Sequence, residues 1–337
     1  MIREAIAKLV ERVDLSRAEM AQVMGEIADG GATPSQVGAF LTALRMKGET
    51  VEEITGAAEV MRARVDPVRV NREVFVDTCG TGGDNQNTFN ISTTAAFVVA
   101  GAGLTVAKHG NRSVSSRCGS ADVLGALGVN VDAPKEVVER CIREVGIGFL
   151  FAPRLHPAFK AVAGLRREIG VRTVFNLLGP LANPAGARHQ VMGVYEARWV
   201  PIIGGVLSAL GAAHAFVVHG DGLDEITVTG MTHLAEVKGE AVERFSVMPQ
   251  DLGLRRWDRK EIAGGDAAEN ARILGDILAG AKGAPRDAAL ANAAAALVAG
   301  GAAADLRAGV GLAAEAIDRG AAAEKLRKLV VASGAAA

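Results

Sequence analysis

With 337 residues, 49% hydrophobic and 22% charged, the chain has the composition of a globular protein holding one large or two ordinary domains. Its formal net charge of −1 provides no global attraction to nucleic acid or to an anionic membrane. Cys79, Cys118 and Cys141 are too few and too scattered for a disulfide framework or a CxxC zinc site, so reduced thiols in a cytosol are expected.

The N-terminal stretch carries Arg3, Glu4 and Lys8 among its apolar residues and so lacks the apolar core of a signal peptide. No apolar run reaches the length of a membrane span, and a cytoplasmic protein is expected. The first 65 or so residues read as three or four short helices. Ile2, Ile6, Leu9, Val10 and Val13 recur at helical spacing. Three capping boxes follow: Ser16 with Glu19, Thr33 with Gln36 and Pro34 at the first helical position, and Thr50 with Glu53. One such pair arises easily by chance; three in order, each opening an amphipathic run, predict helix starts.

After Asp66-Pro67 the texture changes. Short apolar runs at Glu73–Val76, Leu104–Ala107 and Ala215–Val218 read as buried strands, alternating with helical stretches at Thr93–Ala102 and Lys135–Val145. That alternation predicts a mainly parallel sheet covered by helices. The fold class expected is therefore α/β: a small helical domain over residues 1–66 and a larger α/β domain over residues 67–337. A segment near residues 170–190 is a candidate to return and pack on the helices.

In open α/β sheets ligands sit at the carboxyl ends of strands, so the turns there are where chemistry is sought. The first is Asp77-Thr78-Cys79-Gly80-Thr81-Gly82-Gly83-Asp84, whose glycines let backbone N–H groups approach an anion. Asn90-Ile91-Ser92-Thr93-Thr94 then opens a helix whose N-terminal dipole suits phosphate. A plain flexible turn with an N-cap is the other reading. A Walker A loop is excluded because no lysine follows the glycines. The dinucleotide fingerprint is excluded because Asn85 stands where its third glycine belongs.

The second is Lys108-His109-Gly110-Asn111-Arg112-Ser113-Val114-Ser115-Ser116. It gathers two cations, an amide and several hydroxyls, as a polyanion such as a pyrophosphate requires. A solvated surface loop is the alternative. Asp224-Glu225, after Gly220-Asp221-Gly222, would suit magnesium, a hard ion that favours carboxylate and phosphate oxygens, or would be an ordinary acidic turn.

The runs GTGGD, NISTTAA, KHGNRSVSS, GSADVLGALG, HPAF, RREIGVRTVFNLLGPLANPA and GLDEIT, in this order, closely resemble the anthranilate phosphoribosyltransferases. The resemblance covers most of the chain. It implies a helical domain on an α/β domain, phosphoribosyl pyrophosphate and anthranilate as substrates, Mg2+ as cofactor and a homodimer. Residue by residue, it places Gly80, Gly83, Asp84, Thr88, Asn90, Ile91, Ser92 and Thr93 around phosphoribosyl pyrophosphate. Lys108, His109, Gly110, Asn111, Arg112, Ser113, Val114, Ser115, Ser116 and Ser120 complete that surface. Gly80, Asn111 and Arg166 fall to anthranilate, and Ser92, Asp224 and Glu225 to the metal. Arg166 has a neighbour, Arg167, and sequence does not say which faces inward. Phe159 stands where the family usually has methionine, and Gly179–Pro184 reads as a rigid connection or plain loop.

The implied mechanism stabilises a departing pyrophosphate and orients the aromatic amine, with no acid or base catalyst assigned. Rival readings are a pyrimidine nucleoside phosphorylase-like enzyme and a non-catalytic nucleic-acid-binding relative. The first differs in its lysine-serine signature, and the second would carry a basic surface.

Overall fold

The structure, a computed structural model, describes residues 1–113, 117–160 and 162–334. The chain opens with α1 (Ile2–Val10), α2 (Arg17–Ala28), α3 (Pro34–Lys47) and α4 (Val51–Ala63). Ser16, Thr33 and Thr50 each cap a helix, and Glu19, Gln36 and Glu53 reach back to the cap N–H groups, as the spacing predicts. Glu53 does more than close its box. Buried, it accepts from the Leu15 N–H at 2.9 Å and pairs with Lys47 at 2.9 Å, tying the start of α4 to the end of α3 and to the turn before α2.

The remaining elements are β1 (Phe75–Gly80), α5 (Ile91–Gly101), β2 (Thr105–Gly110), α6 (Ser120–Ala126), α7 (Lys135–Val145), β3 (Ile147–Phe151), α8 (Ala152–Leu155), α9 (Val162–Ile169), α10 (Phe175–Leu181), β4 (His189–Gly193) and α11 (Trp199–Ala209). They continue with β5 (His214–Gly220), β6 (Thr232–Lys238), β7 (Ala241–Val247), α12 (Ala267–Leu278), α13 (Ala284–Ala299), α14 (Leu306–Asp318) and α15 (Ala321–Gly334). Among the described residues the strands form a seven-stranded sheet in the order β3-β2-β1-β4-β5-β6-β7. The first five run parallel, and β6 and β7 return antiparallel at one edge.

The sheet divides two apolar cores, and the two-residue period of its strands decides which residue faces which. Val191, Phe216 and Val218 look towards α5, α7, α13 and α14, while Met192, Ala215 and Val217 look towards α11 and the N-terminal helices. Helix α13 lies within the first core on nearly all sides. Its run of alanines allows close approach to α5 and α14. On the other face α9 packs on α3, and both α10 and α11 pack on α4. The segment from Phe159 to Leu181 thus shares a core with the helices of the N-terminus.

Three local expectations are corrected. The strand expected at Glu73–Val76 begins at Phe75 and runs through Asp77, Thr78 and Cys79 to Gly80. The second runs on through Lys108 and His109 to Gly110, so those residues are strand and not loop. Polar side chains are tolerated there because the interior supplies partners: Asp77, fully buried, accepts from the His109 N–H at 3.1 Å and from Gln190 Nε2 at 3.3 Å. Gly179-Pro180-Leu181 is the last turn of α10 and not a loop, with the Pro180 carbonyl accepting from Gln190 at 2.7 Å. Asn183 then donates to the Ala107 carbonyl at 2.9 Å, which anchors the connection to β2.

Candidate active site

The strand order reverses between β1 and β4, and at such a switch point the loops leaving the carboxyl ends of neighbouring strands diverge and leave a crevice. Strands β1, β2, β4 and β5 all end on glycine there: Gly80, Gly110, Gly193 and Gly220. At each, a Cβ would collide with a neighbouring chain segment. Gly80 and Gly193 sit side by side in register, and Asp224 lies over both, its carboxylate against the first and its carbonyl against the second. The acid-bearing turn after β5 can therefore lie directly across the ends of β1 and β4 only because those strands end without side chains.

The glycine loop folds onto this turn. Gly82 and Gly83 hold φ of +64° and +77°, conformations that other residues adopt only with strain, and the Gly82 N–H donates to Asp224 Oδ2 at 2.7 Å. The Ser92 N–H, at the first turn of α5, donates to Glu225 Oε1 at 3.1 Å. Lys108 donates to the Thr78 carbonyl and lies 3.5 Å from Ser92 Oγ. Gly82, Lys108 and Glu225 are thus brought together at the carboxyl ends of the strands, linked through Asp224 and Ser92.

Its electrostatics are those of an incomplete charge balance. Burial, then the nearby Asp84 carboxylate, pushes Asp224 up to about 7. Burial and the Asp224 charge push Glu225 well above the usual carboxylate range, with Lys108 pulling the other way. Burial also lowers Lys108, while Asp77, Cys79, Glu225 and Asp224 all act to keep it charged. Crowded carboxylates facing Lys108 leave a deficit that a multivalent cation would fill. Among the described residues no group of three or more His, Cys, Asp or Glu is placed to hold a metal by itself. The oxygens of Asp224, Glu225 and Ser92 are of the kind that could hold part of a hard ion's shell, the rest coming from ligand oxygens or water.

The other expected residues fall in several places. Asn90 accepts from the buried Asn270 at 2.9 Å and donates to the Cys118 carbonyl, so it braces the loop in front of α5. Thr93 is buried and its hydroxyl has no hydrogen-bond partner among the described residues, which leaves a donor available beneath the loop. Ile91 is buried in the core, so only its backbone can face a ligand. Thr88 forms an isolated bridge with Ala263 beside the loop. Asn111 and Ser120 bond to each other and shape the turn after β2. The Arg112 guanidinium pairs with Asp122 at 3.1 Å and with Asp132 at 3.7 Å. The Ser113 N–H also donates to Asp122, at 3.0 Å. Val114, Ser115 and Ser116 lie outside the described residues.

Two expected residues remain, His109 and Arg166. His109 is buried and its Nε2 lies 3.1 Å from Nε2 of His156. Burial and the neighbouring His156 bring His109 down to about 3, and burial brings His156 down to about 4, so the pair is neutral at physiological pH. Arg166 on α9 is half-buried with its guanidinium 5.7 Å from the centre of the Phe175 ring, whereas Arg167 is exposed. Burial thus separates two arginines that sequence could not. Phe159 is buried against Phe175, ring centres 5.9 Å apart, and serves as packing. Sequence reasoning passed over Asp77, Gly193 and Arg172. Each draws its role from a partner more than 30 residues away, and the only local signal was a charged or glycine residue beside a strand end or helix end.

The family described as "Glycosyl transferase family, helical bundle domain" matches residues 3–65, and "Glycosyl transferase family, a/b domain" matches residues 72–323. The chain is 77% identical over 337 residues, covering all of both chains, to an anthranilate phosphoribosyltransferase of Anaeromyxobacter sp. (strain Fw109-5). It is 56% identical over 351 residues to one of Geobacter sp. (strain M21), again covering all of both. Among solved structures, anthranilate phosphoribosyltransferase from Thermus thermophilus matches with a TM-score of 0.94 and 42% identity, covering 98% of this chain and 99% of that one. The Saccharomyces cerevisiae enzyme in complex with PRPP and Mg matches at 0.88 and 29%, covering 98% and 97%.

Proposed function

This chain belongs to the anthranilate phosphoribosyltransferases, and from that premise we propose how its loops divide the work. The protein transfers the phosphoribosyl group of phosphoribosyl pyrophosphate to the amine of anthranilate, releasing pyrophosphate, in tryptophan biosynthesis. Asp224, Glu225 and the Ser92 hydroxyl would hold Mg2+, as the yeast enzyme is seen with PRPP and Mg and as the oxygen-only donor set here fits. When bound, the ion neutralises charge on the leaving pyrophosphate.

The remaining work falls to the chain's own groups. The N–H groups of Gly82, Gly83 and the first turn of α5 donate to phosphate oxygens, aided by the dipole of α5. Lys108, pinned between β1 and α5 by the Thr78 carbonyl and Ser92, provides a fixed positive charge near the bond that breaks. Arg166 offers its planar fork to the anthranilate carboxylate and Asn111 borders the ring, whereas the place of a Gly80 side chain is taken by the Asp224 carboxylate. The neutral His109–His156 pair lines the approach without competing for protons. An aromatic amine is uncharged at neutral pH, so holding it against the sugar carbon supplies much of the rate without a strong base. A homodimer remains part of the proposal through the family likeness alone.

The observation that carries this assignment of residues is the convergence of Gly82, Lys108 and Glu225 on one crevice. The test is to follow anthranilate fluorescence with phosphoribosyl pyrophosphate and magnesium. Wild-type protein should consume anthranilate and Glu225→Ala should not, while keeping its circular dichroism. A Glu225→Ala enzyme with normal rates at limiting magnesium would remove the acid pair from the reading.

A further inference from the structure

Arg172 takes no part in the division of labour above, and we infer that it is a positioning residue coupling the two half-sites, so that phosphate binding at the glycine loop sets the affinity for the aromatic acceptor. This rests on the proposed assignment of the loops. The geometry centres on two consecutive glycines. Gly82 donates its N–H to Asp224 Oδ2, on the acid-pair side, while the carbonyl of Gly83 accepts from the Arg172 guanidinium, on the acceptor side. One peptide link therefore separates a contact to the metal-holding acid from a contact to Arg172. A cation drawing Asp224 away would free the Gly82 N–H for phosphate, and the carbonyl of Gly83 would move with it.

Arg172 has further contacts through the same group. Its guanidinium lies 4.3 Å from the centre of the Tyr195 ring and 3.6 Å from Glu196, both just past β4. The Tyr195 N–H in turn bonds Thr81 Oγ1 at 3.1 Å, so the same loop is held at two points. The backbone around Arg172 is the corner between α9 and α10. There the Gly170 N–H donates to the Arg166 carbonyl at 3.2 Å, and the Thr173 N–H donates to Asn176 Oδ1 at 3.0 Å. Those bonds brace the corner, and Arg166 lies six positions before Arg172, in the last turn of α9. A displacement of Gly83 thus reaches the acceptor's arginine through a short, braced path and not through a flexible chain.

The experiment measures anthranilate binding by its fluorescence at equilibrium, with and without magnesium pyrophosphate, in the wild type and in Arg172→Ala. In the wild type magnesium pyrophosphate should tighten anthranilate binding about 5-fold or more, and anthranilate should tighten pyrophosphate by the same factor. Arg172→Ala should bring that factor to about 1 while anthranilate alone binds within about twofold of wild type, a split that a general loss of structure does not produce. Should Arg172→Ala fail to fold, Arg172→Lys serves: an ammonium reaches a carbonyl but cannot lie flat on Tyr195, so a reduced factor supports the coupling. A wild-type factor near 1, or an unchanged factor in the folded variant, overturns it. Turnover of anthranilate by wild type in the same preparation shows separately whether the underlying assignment stands.

Discussion

An added methyl group at Gly80 would meet the Asp224 carboxylate, and one at Gly193 would meet the Asp224 backbone. These differ in what can yield: a carboxylate can swing away, whereas a carbonyl in a tight turn cannot. Gly80→Ala should therefore fold and lose function. A strain of about 1–3 kcal/mol, as overpacking brings, converts to about 5–150-fold in kcat/KM if it falls on the bound complex. The loss should be recovered in part by raising magnesium, because the displaced group is a proposed metal ligand. Steady-state kinetics across a magnesium series check this; a Gly80→Ala enzyme with wild-type magnesium dependence would show that Asp224 does not need its place over β1. Gly193→Ala should instead reduce soluble yield or thermal midpoint. Sequence made the glycines of the phosphate loop conspicuous because three fall within four positions. Gly193 gave no such signal: it stands alone at the end of an apolar run, and only Asp224, 31 positions later, explains it.

At the scale of elements, helix starts were legible and strand ends were not. A capping box is a local device whose partners lie three residues apart, so Ser16, Thr33 and Thr50 could be read directly. Strand β1 runs four residues past its apolar stretch because Asp77 finds His109 and Gln190, and no local pattern announces those partners. The same distinction separates two tests. Ser16→Ala removes an N-cap at an exposed position and should cost about 1 kcal/mol of stability with kcat unchanged. Denaturant melts beside turnover rates check it, and a change in kcat would mean that α2 communicates with the site. Arg166→Ala acts on α9, whose inward face sequence could not choose and burial does. It should raise the KM for anthranilate and move that for phosphoribosyl pyrophosphate much less. The reverse pattern would transfer the acceptor role elsewhere.

For the whole molecule, a formal net charge of −1 conceals an uneven distribution: Asp84, Asp224 and Glu225 gather around Lys108 at the carboxyl ends of the central strands. The stability of the ligand-free protein should carry the mark of that crowding. Asp224 ordinarily loses its proton near 3.8, and burial and then Asp84 raise it to about 7 in the folded chain. Between these values the folded state holds a proton that the unfolded state has released, so stability falls as pH rises through the window. The contribution is full below about 4 and gone above about 7, the opposite of an ion-paired carboxylate. Glu225 moves in the same direction. His109 and His156, depressed to about 3 and 4, act oppositely: their contribution is complete above the ordinary histidine value of 6.5 and declines as pH falls below it. Comparing wild type with Asp224→Asn separates the carboxylate effect from that of the histidines, which both proteins keep; Glu225, raised in part by the Asp224 charge, moves with Asp224. Metal-free wild type should lose thermal midpoint between about pH 5 and 7 more steeply than Asp224→Asn, and the two curves should run parallel above that window. Magnesium with pyrophosphate, held at the proposed site, would bind the folded state and favour the charged carboxylates. It should therefore raise the wild-type midpoint more at about pH 8 than at about pH 6, with proton release measurable by calorimetry in buffers of different ionisation enthalpy. Parallel slopes for the two proteins throughout would mean that Asp224 is solvated as an ordinary surface acid. The crevice would then have no charge deficit for a metal and a diphosphate to relieve.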